Sequence, residues 1–181
     1  MHYEIRKARP EDCGTVCELI HALAAYEKLS DACHATPEAI REALFAGNPV
    51  AHCLLCREVD EEDRAPSRDV AFALYFFNFS TFEARKGLYL EDLFVVEDAR
   101  GRGVGTMMIK HLAEIAEKEN CARFEWVVLD WNKPAQAFYK KLGADIHDEW
   151  WLCRLSGEQL AACAKGADKA ASDAPKERSG S

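Results

Sequence analysis

No run in the sequence approaches the roughly 18 consecutive apolar residues of a membrane-spanning helix. The N-terminus, Met1-His-Tyr-Glu-Ile-Arg-Lys7, has no apolar stretch of signal-peptide length. We therefore expect no membrane partner and a cytoplasmic chain. Glycine and proline are scarce, ten and six in 181 residues, which excludes a linker or a fibre. An excess of basic charge is also missing. Lys and Arg number 23 against 31 Asp and Glu, for a net charge of −8. Nucleic-acid binding rests on Lys/Arg contacts to phosphate, so no nucleic-acid partner is expected. A positively charged partner suits such a chain better. None of the six histidines has metal-ligand spacing, and no metal is expected.

Eight cysteines are present, at 13, 17, 33, 53, 56, 121, 153 and 163. Most lie in apolar runs, where cysteine acts as a small buried hydrophobe. Cys53-Leu-Leu-Cys56 has no second metal pair at suitable spacing. Eight free thiols are the expected state.

Hydrophobic residues make up 49% of the chain, enough for one substantial core. Pro10 opens a helix that runs to about Leu29, and Thr36-Pro37 caps and starts a second, ending near Gly47. Strands are expected over 50–59, 70–79, 88–96, 121–130 and 150–155, besides a first at 3–8. The five acids among Glu58 to Asp63 read as a solvated loop. A helix follows Gly105, another follows Pro134 and stops at Gly143, and Ser156-Gly-Glu-Gln159 reads as a capping box for the last. The order is β-α-α-β-β-β-α-β-α-β-α: an α/β (α+β) chain with a mixed sheet covered by helices. We expect one domain over 1–163. The remainder, 164–181, is too poor in large apolar residues to fold and reads as a disordered tail.

The turn Arg100-Gly-Arg-Gly-Val-Gly105 lies between a strand and a helix. Alternate glycines let backbone approach a ligand closely, and a helix start offers unpaired N–H groups to an anion. The spacing fails the dinucleotide fingerprint and the nucleotide-hydrolase phosphate loop. Arg100-x-x-Gly103-x-Gly105 resembles the acetyl-CoA motif of the GNAT superfamily of N-acetyltransferases. Leu129-Asp-Trp-Asn-Lys-Pro-Ala-Gln-Ala-Phe-Tyr-Lys-Lys-Leu-Gly143 resembles the second half of that fold. Tyr89-Leu-Glu-Asp-Leu-Phe-Val-Val96 and Ala24-Ala-Tyr-Glu-Lys-Leu-Ser-Asp31 are similar to its diamine (spermidine/spermine) and thialysine acetyltransferases.

The resemblance implies a GNAT fold, a largely antiparallel sheet with two strands splayed at a cofactor notch. It implies acetyl-CoA as co-substrate and a homodimer. Phe94, Val95 and Val96 would pair with the pantetheine arm. Arg100, Gly101, Arg102, Gly103, Val104, Gly105 and Thr106 would hold the pyrophosphate. Asn132, Lys133, Pro134 and Ala135 would complete the cofactor site. Tyr139 would protonate the departing thiolate, and Glu91 would take a proton from the amine, directly or through water. Tyr26, Glu27, Glu91, Asp92, Trp126 and Asp148 would bind the substrate. That substrate is expected to be a small cationic amine, either a polyamine or diamine or a thialysine- or lysine-like amino acid. A non-catalytic acyl-CoA sensor and a peptide acetyltransferase are the alternatives.

Overall fold

The computed structural model describes residues 2–60 and 66–166. Among these residues, five strands form one sheet in the order β1-β2-β3-β4-β5. They are His2–Lys7, His52–Val59, Arg68–Ser80, Arg85–Val95 and Phe124–Glu125. The first four pair antiparallel with their neighbours, and β5 runs parallel to β4. Five α-helices accompany them: α1 Cys13–Tyr26, α2 Pro37–Phe45, α3 Val104–Lys118, α4 Lys133–Lys141 and α5 Gly157–Ala164. The chain divides into two compact units, 1–138 and 139–181, with the boundary inside α4.

In the first unit, side chains alternate across the sheet as strand geometry requires. Cys53 and Leu55 of β2, Phe72 of β3 and Phe94 of β4 join α1 and α2 in one core, with Val16, Leu19, Leu23, Ile40 and Leu44. Leu54, Cys56, Ala71 and Ala73 point the other way and are fully buried. Contacts of α3 with β1, β3 and β4 place its stripe of Val104, Met108, Leu112 and Ala116 over that face. Thr36 caps α2 as expected, its Oγ1 accepting from Ala39 N at 3.1 Å. Cys53 and Cys56 serve this packing. Burial pushes their thiols up to about 12 and about 11, which leaves them inert.

Several sequence expectations are corrected here. The strand expected over 121–130 shrinks to Phe124–Glu125. No strand forms over 150–155. Glu58 is not in a solvated loop. It sits on β2, buried, and accepts from Tyr3 Oη at 3.1 Å, Arg68 Nε at 3.1 Å and Arg102 at 3.2 Å. Asp60 is buried too, whereas Glu61, Glu62 and Asp63 lie outside the described residues.

The second unit holds the end of α4 and α5. Gly143 ends α4 at φ 90°, and Ala144 N bonds the Tyr139 carbonyl at 3.1 Å, the C-terminal cap its sequence suggests. The expected capping box at Ser156 does not form. Its carbonyl, not its hydroxyl, receives Gln159 N at 3.1 Å. Of the expected tail, 167–181 lie outside the described residues.

Candidate active site

The β4–β5 pairing ends at Tyr89 opposite Glu125. Two residues later β4 carries a bulge. Leu74 of β3 pairs with Asp92, but Tyr75 pairs with Leu90, so Glu91 is the extra residue. The two strands therefore part at the bulge, as the resemblance implies. The bulge also changes which backbone groups face the gap. Val96 N donates to Val70 O at 2.9 Å, making that a hydrogen-bonded pair. Because such pairs alternate along an antiparallel ladder, Phe94 and Asp92 likewise turn their N–H and C=O toward β3. The groups left facing the gap are those of Leu93 and Val95. Of the residues expected at a ligand, Phe94 and Val96 thus turn their backbone groups toward β3, and Val95 faces the gap. Leu93 was not singled out from sequence because its facing the gap depends on a parity that only the bulge sets.

Beyond β4 the chain turns through Gly101 at φ 72° and Gly103 at φ 85°, both in the left-handed region that favours glycine. Gly103 precedes α3 and carries no capping side chain. The first helical bond there runs from Met107 N to Gly103 O at 3.0 Å. The amides of Val104, Gly105 and Thr106 consequently point out of the helix start, where an anion is stabilised. Gly105 answers to packing: a Cβ there would lie 3.3 Å from Phe138 Cζ.

The two arginines of this turn are held by the protein itself. Arg102 reaches Glu58 at 3.2 Å. Arg100 Nε donates to Val95 O at 2.8 Å, one of the gap-facing carbonyls. Its guanidinium stacks 4.7 Å from the Tyr26 ring centre and 5.4 Å from that of Phe94.

Asn132 is buried and immediately precedes α4. Its Oδ1 accepts from Ala135 N at 3.2 Å and from Tyr26 Oη at 3.3 Å. Lys133 and Pro134 are exposed in the first turn, and Lys133 Nζ donates to Gln136 Oε1 at 3.2 Å.

Three carboxylates converge beside the bulge. Glu27 and Asp92 line a cavity of about 180 Å³ with Ile20, Leu23, Leu29 and Cys33 among its apolar walls. Burial holds the Asp92 carboxyl up at about 6, with the nearby charges of Glu91 and Glu27 adding to the effect. Burial also raises Glu27. Glu91 itself is exposed. Trp126 is half-buried, its ring 4.8 Å from that of Phe124. Tyr139, half-buried, and Asp148, exposed, belong to the second unit. The walls Ile20, Leu29 and Cys33 were not singled out from sequence, since apolar residues at helical spacing read as core.

A strand edge with free backbone groups leading into an anion-binding helix start suits a long anionic carrier, and the acids beside it suit a cationic acceptor. Group transferases bring such a pair together. The chain belongs to the acetyltransferase (GNAT) family, which matches residues 18–144. It is an N-acetyltransferase, and enzymes of this family use acetyl-CoA. It is 41% identical over 160 residues to thialysine N-epsilon-acetyltransferase of Mus musculus, covering 86% of this chain and 94% of that one. It is 32% identical over 203 residues to L-ornithine N5-acetyltransferase of Arabidopsis thaliana, covering 91% and 89%. Among solved structures, an integron cassette protein from the mobile metagenome of V. cholerae matches with TM-score 0.73 and 28% identity, over 91% of this chain and 99% of that one.

Proposed function

We propose that the chain acetylates a primary amine of a small substrate with a second positive charge, a lysine-like amino acid such as thialysine or ornithine before a polyamine. The observation that carries this reading is the convergence of Glu27, Glu91 and Asp92 at the point where β4 leaves β5. A carboxylate cluster in a partly dried cavity attracts a cation more strongly than one in water. The names of the thialysine and ornithine relatives support the amino-acid side of the substrate class.

In this reading the pantetheine arm lies along Leu93 and Val95, and the Arg100 Nε bond to Val95 O gives way to it. The amides of Gly101 to Thr106 hold the pyrophosphate, and Asn132 to Ala135 border the arm. Acetyl-CoA supplies an activated thioester carbonyl. The amine loses a proton and attacks that carbon while backbone N–H groups stabilise the developing oxyanion. The C–S bond breaks, and Tyr139 gives its proton to the sulfur. Tyr26, with its hydroxyl on Asn132, and Trp126 border the amine. The family resemblance adds Asp148 as a further candidate for the substrate's second charge. A homodimer belongs to the same proposal, with the exposed Trp150, Trp151 and Leu152 as its apolar surface. A cytoplasmic site does too, since all eight cysteines are free thiols. Among the described residues no helix is long and apolar enough to cross a membrane.

The test is to incubate the protein with acetyl-CoA and, separately, thialysine, ornithine, lysine, spermidine, putrescine and a basic peptide. Product mass is the readout, because the exposed thiols of Cys153 and Cys163 would react with a thiol dye. Acetylated thialysine or ornithine is expected. Acetyl-CoA binding with no amine acetylated would favour the sensor alternative and overturn the proposal.

A further inference from the structure

The glycine turn is tied to the sheet from outside the gap. Glu58 of β2 stands directly opposite Tyr3 of β1 and Arg68 of β3, in one cross-strand row. Its side chain is 9% exposed. Oε1 accepts from Tyr3 Oη at 3.1 Å and from Arg102 Nη1 at 3.2 Å, and Oε2 accepts from Arg68 Nε at 3.1 Å. Both oxygens accept, as those of an ionised carboxylate do. Arg68 carries the connection further, its Nη2 donating to Asp98 Oδ2 at 2.7 Å. Asp98 lies in the single turn Glu97–Ala99 just before the glycines, and Arg102 lies between them. One buried carboxylate thus holds the chain at 102 directly and at 98 through Arg68, on both sides of Arg100 and Gly101. Packing does not hold the glycines themselves. A Cβ at Gly101 or Gly103 would meet no atom of the described residues within 4 Å. Glycine backbone loses more freedom on ordering than any other, so such a turn needs fixing from elsewhere.

Resting on the cofactor site of the proposed function, we infer that Glu58 is a positioning residue for acetyl-CoA. Through Arg102, and through Arg68 to Asp98, it holds the turn in the shape that presents the amides of 101–106 to the pyrophosphate. It touches no reacting atom and no part of the cofactor. Two acids and two arginines make up the cluster, so their charges cancel and what it gives the anion is shape. A turn already in its bound shape loses less freedom when the ligand arrives, and affinity rises by that difference. Charge and shape predict opposite signs when the carboxylate is removed. By charge alone, an anion binds more tightly once a neighbouring negative charge is gone. By positioning, it binds less tightly, because Arg102 and Arg68 lose the group that fixes them.

The experiment is titration calorimetry of acetyl-CoA against wild type, Glu58→Gln, Arg102→Met and the double variant, with kcat measured at saturating acetyl-CoA and amine. Glu58→Gln should raise the acetyl-CoA Kd by roughly 10-fold and leave kcat within about twofold. The double variant should lose less than the product of the two single losses, because both substitutions cut one link. Asp98→Ala keeps the test alive if Glu58→Gln does not fold, since Asp98 is exposed. It also removes a negative charge, and it should raise Kd by roughly 3-fold with kcat retained. A Kd unchanged or lowered in Glu58→Gln, or in Asp98→Ala where the first does not fold, overturns the inference. So does a double variant whose loss equals the full product. A wild type that binds acetyl-CoA and acetylates no amine overturns the proposed function and leaves the role of Glu58 standing. A wild type with no affinity for acetyl-CoA overturns both.

Discussion

The hydroxyl of Tyr26 donates to Oδ1 of Asn132 at 3.3 Å, tying the last residue of α1 to the residue that caps α4. The same oxygen receives Ala135 N, so one amide oxygen holds two elements that are 106 residues apart in sequence. Tyr26→Phe should cost about 1 kcal/mol, the net worth of one hydrogen bond. Asn132→Ala should cost more, about 2 kcal/mol, because the helix cap and the tyrosine's partner go together. Urea unfolding of both single variants and the double variant measures this. Full additivity would show that the two residues act independently.

Gly105 and Gly101 should fail for different reasons when changed to alanine. At 105 the added methyl meets the Phe138 ring at 3.3 Å, with a cost of about 1 kcal/mol from crowding. At 101 there is open space, but φ is 72°, so the cost of roughly 1–2 kcal/mol comes from the backbone. Adding Phe138→Leu should relieve Gly105→Ala and leave Gly101→Ala unrelieved. Thermal melting of the four variants distinguishes the two causes.

The buried carboxyl of Asp92 should make the protein less stable above about pH 6. Its folded value, about 6, lies above its ordinary 3.8, so the folded state holds the proton more tightly than the unfolded chain. Its contribution to stability is therefore best below 3.8 and is lost as pH rises through about 6. Asp92→Asn should raise stability at pH 8 by on the order of 2 kcal/mol and change little at pH 3.5. Calorimetry at the two pH values reads the difference. A uniform gain would mean that packing, and not charge, is responsible.

Tyr139→Phe should lower turnover by roughly 10²–10⁴ while leaving acetyl-CoA affinity intact, as expected for loss of a proton donor. Paired measurements of kcat and acetyl-CoA Kd decide it. Unchanged kcat would remove Tyr139 from the chemistry.

The sequence announced what depends on local pattern. The turn at Arg100 to Gly105, the Thr36 cap and the Gly143 stop were readable from residue type and spacing, whereas the acids at 27, 91 and 92 were singled out by the family resemblance. What escaped depends on partners distant in sequence. Residues 121–130 have the composition of a long strand, yet beyond Glu125 they find no strand neighbour among the described residues, because β4 turns away at Glu91. Trp150 to Leu155 have strand-like composition and no strand neighbour among the described residues. Glu58 looked like one acid among five, but Tyr3, Arg68 and Arg102 converge on it from three places in the chain. Arg102 shows the same limit from the other side. Its charge suggested a phosphate, and a buried carboxylate holds it.

The bulge at Glu91 acts on β4 as a frameshift acts on a message. Leu88 N donates toward the β5 side, to Arg123 O at 3.0 Å, and that frame of even positions ends at the bulge. Past it, the odd positions Leu93 and Val95 face the same side. One extra residue thus readdresses every later donor and acceptor on the strand without changing any of them. Drawing Glu91 into the ladder as a regularly paired residue would turn Phe94 and Val96 toward the gap, leaving the side chains that now fill the core on the wrong face. Within this first unit, binding edge and hydrophobic core are therefore written in one frame, and no length change between Leu90 and Val96 can alter the one and spare the other.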